Sequence, residues 1–112
     1  MKGTQVGEFE ELVLLAIAQL YDEAYSVAVL ELLIQRLQRP VSLGMVHRTM
    51  QRLEEKNLVA SRFGEATPER GGRSKRLFTV TTTGEQALQE VRRVRNEFWA
   101  AIPQAAFNGP LL

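Results

Sequence analysis

The sequence predicts an α+β, mostly helical domain, and three observations predict it. Apolar residues recur at helical spacing in four separate stretches. Two short strand-like runs, 58–63 and 76–80, flank a loop holding Pro68, Gly71 and Gly72. No stretch approaches the roughly 20 unbroken apolar residues of a membrane helix. At 112 residues, with 45% hydrophobic and 24% charged side chains, the chain holds one domain's worth of material around one core.

The first helix is expected from Glu8 to about Leu20. Phe9, Leu12, Val13, Ala16 and Leu20 keep one stripe, and Leu14, Leu15 and Ile17 widen it until more than one neighbour is needed to cover it. Residues 21–25 break the period. Ser26 is the expected cap of a second helix that buries Val27, Leu30, Ile34 and Leu37. Arg39-Pro40 closes it, because proline discourages helical geometry in the residue before it.

A third helix, 42–56, begins at the cap Ser42 and turns Leu43, Val46, Met50 and Leu53 inward, with Asn57 as a left-handed C-cap. The hairpin, 58–80, carries a twelve-residue loop from Gly64 to Lys75, more a finger than a turn. Thr81 and Thr82 both offer caps for the last helix, 81–103, and Thr82 with Glu85 makes a capping-box pattern. Its apolar residues are Leu88, Val91, Val94, Phe98 and Ile102; Pro103 ends it, and 104–112 read as a short tail.

The formal net charge of +1 conceals a separation along the chain. Residues 1–35 hold one basic residue against six acidic ones, 36–76 hold ten against four, and 77–112 hold three of each. A positive excess on the third helix and the hairpin after it is the footprint of a phosphate-binding surface; the plainer alternative is a solvated charge run. At about 100° per residue, the side of the third helix opposite its apolar stripe carries Gly44, Met45, Arg48, Gln51 and Arg52. Arg48 is the first choice for a base contact, with Met45 and Thr49 beside it, since arginine matches a guanine edge in the major groove. Gly44 leaves room for close backbone approach, and Ser42 with the first-turn amides is either a phosphate contact or simply a cap. Arg70, Arg73, Lys75 and Arg76 on the loop suit a minor groove or its flanking phosphates.

Other chemistries find no support. With zero cysteines there is no disulfide, thiol nucleophile or zinc ribbon, and the first residues lack the apolar core of a secretory signal, so a cytoplasmic address is expected. His47, the only histidine, has no ligands at metal spacing and reads as a packing or phosphate-contact residue. Gly71-Gly72-Arg73 lacks the Gly-Lys-Ser/Thr ending of a phosphate-binding P-loop. Glu8, Glu10 and Glu11 sit where a helix dipole favours carboxylates. Nothing assembles a nucleophile, a base and an oxyanion donor, so neither an enzyme nor a cofactor is expected.

The residues resemble the PadR family of bacterial transcription regulators, in particular its short members. The matching pieces are Gly-Glu-Phe-Glu-Glu-Leu-Val-Leu-Leu (7–15), Tyr25, Pro-Val-Ser-Leu-Gly (40–44), Arg-Leu-Glu-Glu-Lys-Asn-Leu-Val (52–59), Thr-Pro-Glu-Arg-Gly-Gly-Arg-Ser-Lys-Arg (67–76) and Thr-Val-Thr-Thr-Thr-Gly (79–84). The resemblance implies a winged helix-turn-helix with a C-terminal dimerisation helix, assisted by the first helix, that represses promoters as a homodimer on inverted repeats. The helix docking and loop placement read above give the expected DNA contacts as Ser42, Gly44, Met45, His47, Arg48, Thr49, Arg52, Arg70, Arg73, Lys75 and Arg76. The corresponding dimer interface is Phe9, Leu12, Leu88, Val91, Val94, Phe98, Trp99 and Ile102. The family usually has tyrosine where this chain has His47, and the long C-terminal region of larger members is absent. Double-stranded DNA and a second copy are the expected partners, with no membrane; Trp99 makes a small apolar effector between subunits a further candidate. The competing readings are a winged helix used for protein contact, and a ligand-sensing regulator with an apolar pocket at the dimer interface.

Overall fold

A computed structural model of the chain describes residues 5–65 and 74–107. The first helix, α1 (Glu8–Leu20), sits at the centre and buries Val13, Leu14, Ala16 and Ile17 completely or nearly so. Packed around it are α2 (Ser26–Arg36), α3 (Leu43–Glu55), the hairpin and α4 (Thr82–Ala100). That arrangement satisfies the broad apolar face of α1, which no single neighbour could cover. A short 3-10 turn, Tyr21–Glu23, links α1 to α2, and the following Ala24 carbonyl accepts the Phe78 N–H at 2.9 Å. This bond helps tie the connection to the hairpin.

In α2 the buried residues are Val29 and Leu33, with Leu30 and Leu37 half-buried; Val27 and Ile34, expected inside, are exposed. Seven of its eleven residues are apolar, so two stripes have helical spacing, and only the position of α1 and α3 selects between them. Ser26 is the first helical residue and not the cap; the cap position is Tyr25, whose side chain makes no capping bond to the helix start.

Ser42 caps α3, its Oγ accepting the Met45 N–H at 3.2 Å, and Val46, Thr49, Met50 and Leu53 are buried. Leu43, expected to point inward, is half-exposed at the helix start. At the other end Asn57 takes φ +63°. Its N–H donates to the Glu54 carbonyl at 3.0 Å and the Leu58 N–H to the Leu53 carbonyl at 2.9 Å, the paired bonds of a Schellman motif, with Leu53 and Leu58 both fully buried. The chain therefore turns directly into β1 (Val59–Phe63), which pairs antiparallel with β2 (Arg76–Val80), Ser61 opposite Phe78 and Phe63 opposite Arg76.

Thr81, not Thr82, caps α4: its Oγ1 accepts the Gly84 N–H at 2.9 Å and donates to the Asn57 carbonyl at 2.7 Å, so the expected Thr82–Glu85 box gives way to a cap one residue earlier. Gly84 is buried against the Leu58 carbonyl, so close that a Cβ there would overlap it. After Ala87 no residue of the helix is fully buried, and Phe98 and Trp99 are 73% and 66% exposed.

Candidate nucleic-acid interface

The first three turns of α3 are held from behind and open in front. Val46, Met50 and Leu53 anchor the helix in the core, which leaves Ser42, Gly44, His47, Arg48 and Gln51 exposed and Met45 half-buried. Arg48 has no carboxylate partner among the described residues, and its guanidinium folds back over the hydrogen-only face of Gly44. Thr49, expected beside it, is 2% exposed and belongs to the core. It lies three residues after Val46 and four before Leu53, inside the apolar stripe, and its hydroxyl accepts from Arg52 Nη2 at 3.2 Å; a base contact is ruled out in this conformation.

Two other expected contacts prove to be tied internally. Arg52 reaches α1, its Nε 3.4 Å from Glu10 Oε2. Lys56 joins it, with Nζ 2.9 Å and 3.1 Å from the two Glu10 oxygens and 3.0 Å from the Gln5 carbonyl. Burial raises the pKa of the nearly enclosed Glu10 carboxyl, but the Gly7 N–H, Lys56 and Arg52 outweigh it and hold the group below the usual carboxylate range. Arg76 points its Nη2 at Glu54 Oε1 (2.6 Å) and its Nε at Ser61 Oγ (3.1 Å). Lys75 places its ammonium 4.0 Å over the Tyr25 ring, a cation–π contact at the base of the hairpin loop. Between α3 and the hairpin runs a groove of about 740 Å³ lined by Tyr25, His47, Gln51, Glu54, Lys75 and Arg76. Arg70 and Arg73 lie outside the described residues.

The carboxylates of the first turn of α1 do more than complement a dipole. Glu8 takes Arg39 at 2.9 Å and 3.2 Å, Glu10 takes Arg52 and Lys56, and Glu11 takes Arg95 of α4 at 2.9 Å. The acidic surplus of residues 1–35 and the basic surplus of 36–76 are thus partly one network. Nothing local in the sequence assigns these partners, although three closely spaced glutamates opposite an unmatched cationic segment are the sign that pairs exist. Glu54 carries a similar sign, an acid within the basic stretch.

Of the residues expected at a subunit interface, Phe9, Leu12 and Leu88 are half-buried against the core. Val91, Val94, Phe98, Trp99 and Ile102 form the open remainder on and just after α4. A groove of about 950 Å³ runs along α4 beside Val6, with Ala87, Val91, Val94, Phe98 and Trp99 in its walls.

Helix, short turn, anchored helix with a free outer face, and a two-stranded hairpin together define a winged helix-turn-helix. The same fold recurs in solved structures of PadR-family regulators. A PadR-like transcription factor from Bacteroides fragilis superposes with a TM-score of 0.66 at 23% identity, over 80% of this chain and 82% of that one. A PadR family transcriptional regulator from Eggerthella lenta gives 0.64 at 25% identity, over 83% and 80%. One from Clostridium difficile gives 0.59 at 21%, over 81% and 98%. The sequence matches no family model and no curated protein. The chain has the fold of the PadR-family regulators, and the resemblance read from its residues is met by these structural neighbours.

Proposed function

We propose that this chain is a PadR-family transcriptional regulator, not an enzyme, that binds double-stranded DNA sequence-specifically as a homodimer and represses from an inverted-repeat operator. The observation that carries the reading is the outer face of α3, where Arg48 stands without a carboxylate partner among the described residues, beside Gly44, Met45 and His47 on a helix locked into the core. Such a face enters a major groove, and the hairpin with Lys75 at its loop base lies alongside to meet phosphates or the minor groove. The transcription-factor neighbours support the same conclusion. The apolar face of half-buried Val91 and Val94 with exposed Phe98 and Trp99 supports a second copy as its cover. Two-fold symmetry then sets the recognition helices about 34 Å apart, one turn of DNA. No helix among the described residues is long and apolar enough to cross a membrane, in keeping with a cytoplasmic regulator.

Fluorescence anisotropy tests this with a labelled fragment from upstream of the protein's own gene and a scrambled fragment, across several salt concentrations. The native fragment binds more tightly and with a steep salt slope, because phosphate neutralisation releases counterions. Absence of binding to either fragment at low salt favours the protein-interaction reading. The groove beside Trp99 favours one elaboration, an apolar effector held at the dimer interface, read out by quenching of that single tryptophan.

A further inference from the structure

An acidic residue on a phosphate-facing surface is costly unless something offsets it, and Glu54 stands at the edge of the groove between α3 and the hairpin. Its carboxylate is occupied on both oxygens: Oε2 accepts from Ser61 Oγ of β1 at 2.6 Å, and Oε1 from Arg76 Nη2 of β2 at 2.6 Å. Arg76 Nε closes the triangle on Ser61 Oγ at 3.1 Å, and its guanidinium lies 5.2 Å from the ring centre of Phe78, a core residue. Short charge-assisted bonds of this kind hold geometry as well as supplying energy. We infer that Glu54 is a positioning residue that locks both strands of the wing to the recognition helix, and that Arg76 serves this lock and not DNA phosphate.

The placement gives the lock its consequence, and it rests on the DNA-binding reading above. Glu54 lies six residues after Arg48, about 9 Å along the helix. Arg76 is the first residue of β2, immediately after Lys75, whose carbonyl accepts the Gly64 N–H at 2.7 Å where the loop leaves the strands. Fixing Arg76 therefore fixes the exit of the loop relative to Arg48. A duplex presents its grooves and phosphates at set distances, so a rigid helix–wing unit favours a site that fits both contacts over a random sequence that fits one. The Asn57–Leu58 turn holds the start of β1 to α3, and the Lys75–Tyr25 contact and the Phe78–Ala24 bond hold β2 to the α1–α2 connection, whereas Glu54 joins the far part of both strands to α3 itself.

Two measurements on the full chain test this, one of them without DNA. In Glu54→Ala and Glu54→Gln, amide hydrogen exchange should accelerate at Gly64 and Leu77, whose N–H groups face the other strand, while the amides of α1 keep their protection; unchanged exchange at both overturns the lock whatever the protein binds. In the anisotropy assay, the preference of Glu54→Ala for the native over the scrambled fragment should fall about tenfold, with affinity for the scrambled fragment unchanged or raised because a negative charge has gone. Exchanging the partners, Glu54→Arg with Arg76→Glu, should restore most of that preference. An equal loss on both fragments, or no rescue by the exchange, overturns the positioning role. If the unaltered chain fails to distinguish the fragments, the DNA reading fails, and the exchange measurement decides the lock alone.

Discussion

Replacing Gly84 by alanine puts one methyl group where the fold has no space. The buried first turn of α4 rests on the Leu58 carbonyl; an added Cβ would overlap that oxygen, come within 3.1 Å of its carbon and meet Val80 Cγ1 at 2.8 Å. The obstacle is backbone, and it cannot rotate away: Leu58 closes the Schellman motif of α3, and its carbonyl accepts the Thr81 N–H at 3.0 Å. The helix must therefore retreat. Overpacking of this kind costs about 1 to 3 kcal/mol, and loss of the Thr81 bond about 1 more. Alanine's better helix propensity returns up to about 1 kcal/mol. A net loss of about 1 to 4 kcal/mol corresponds to a midpoint lowered by roughly 4 to 20 °C in a domain of this size. Urea and thermal unfolding at one fixed protein concentration, followed by circular dichroism, measure it; fixing the concentration matters because any self-association adds to apparent stability. A change below about 0.5 kcal/mol, within the usual range for surface substitutions, would refute the close approach of α4 to Leu58.

Arg48→Ala should cost about 1 to 3 kcal/mol of operator affinity and relax preference at one base position in a selection experiment; unchanged preference would refute the docking of α3. Glu10→Gln should lower stability at neutral pH by about 1.5 to 3 kcal/mol, since it removes a nearly buried charge that two cations share. Because the folded-state pKa of Glu10 is depressed, its contribution is complete above the unfolded value and is lost as pH falls through the folded one. The gap between Glu10→Gln and the unaltered protein should thus close on acidification, and a gap independent of pH would refute the charge pairing. Phe98→Asp should give monomers by analytical ultracentrifugation with unchanged circular dichroism, because the residue is 73% exposed in the single chain; a dimeric variant would remove α4 from the interface.

The local decisions were legible because their causes are local. Ser42 as a cap, Asn57 in the left-handed region and the strands on either side of the loop all follow from bonds made within a few residues. The face of α2 was not legible, since its apolar residues fit two stripes and the tertiary environment selects Val29 and Leu33. Neither was the choice between Thr81 and Thr82: both offer a hydroxyl, and the Asn57 carbonyl decides for Thr81. Thr49 went wrong for a related reason, as a residue at the edge of a helical stripe goes wherever its neighbours leave room.

At the site, the sequence by itself determined which cations exist and on which segment they lie, and it showed that Arg48 falls on the open side of α3. Only the tertiary structure decided which of those cations remain available. Arg39, Arg52, Lys56 and Arg76 are matched by Glu8, Glu10 and Glu54, the first three of them by carboxylates 31 to 46 positions away. Charge is a property of composition, whereas neutralisation at contact distance depends on how helices pack, and helical periodicity carries no information about which distant acid will face which base.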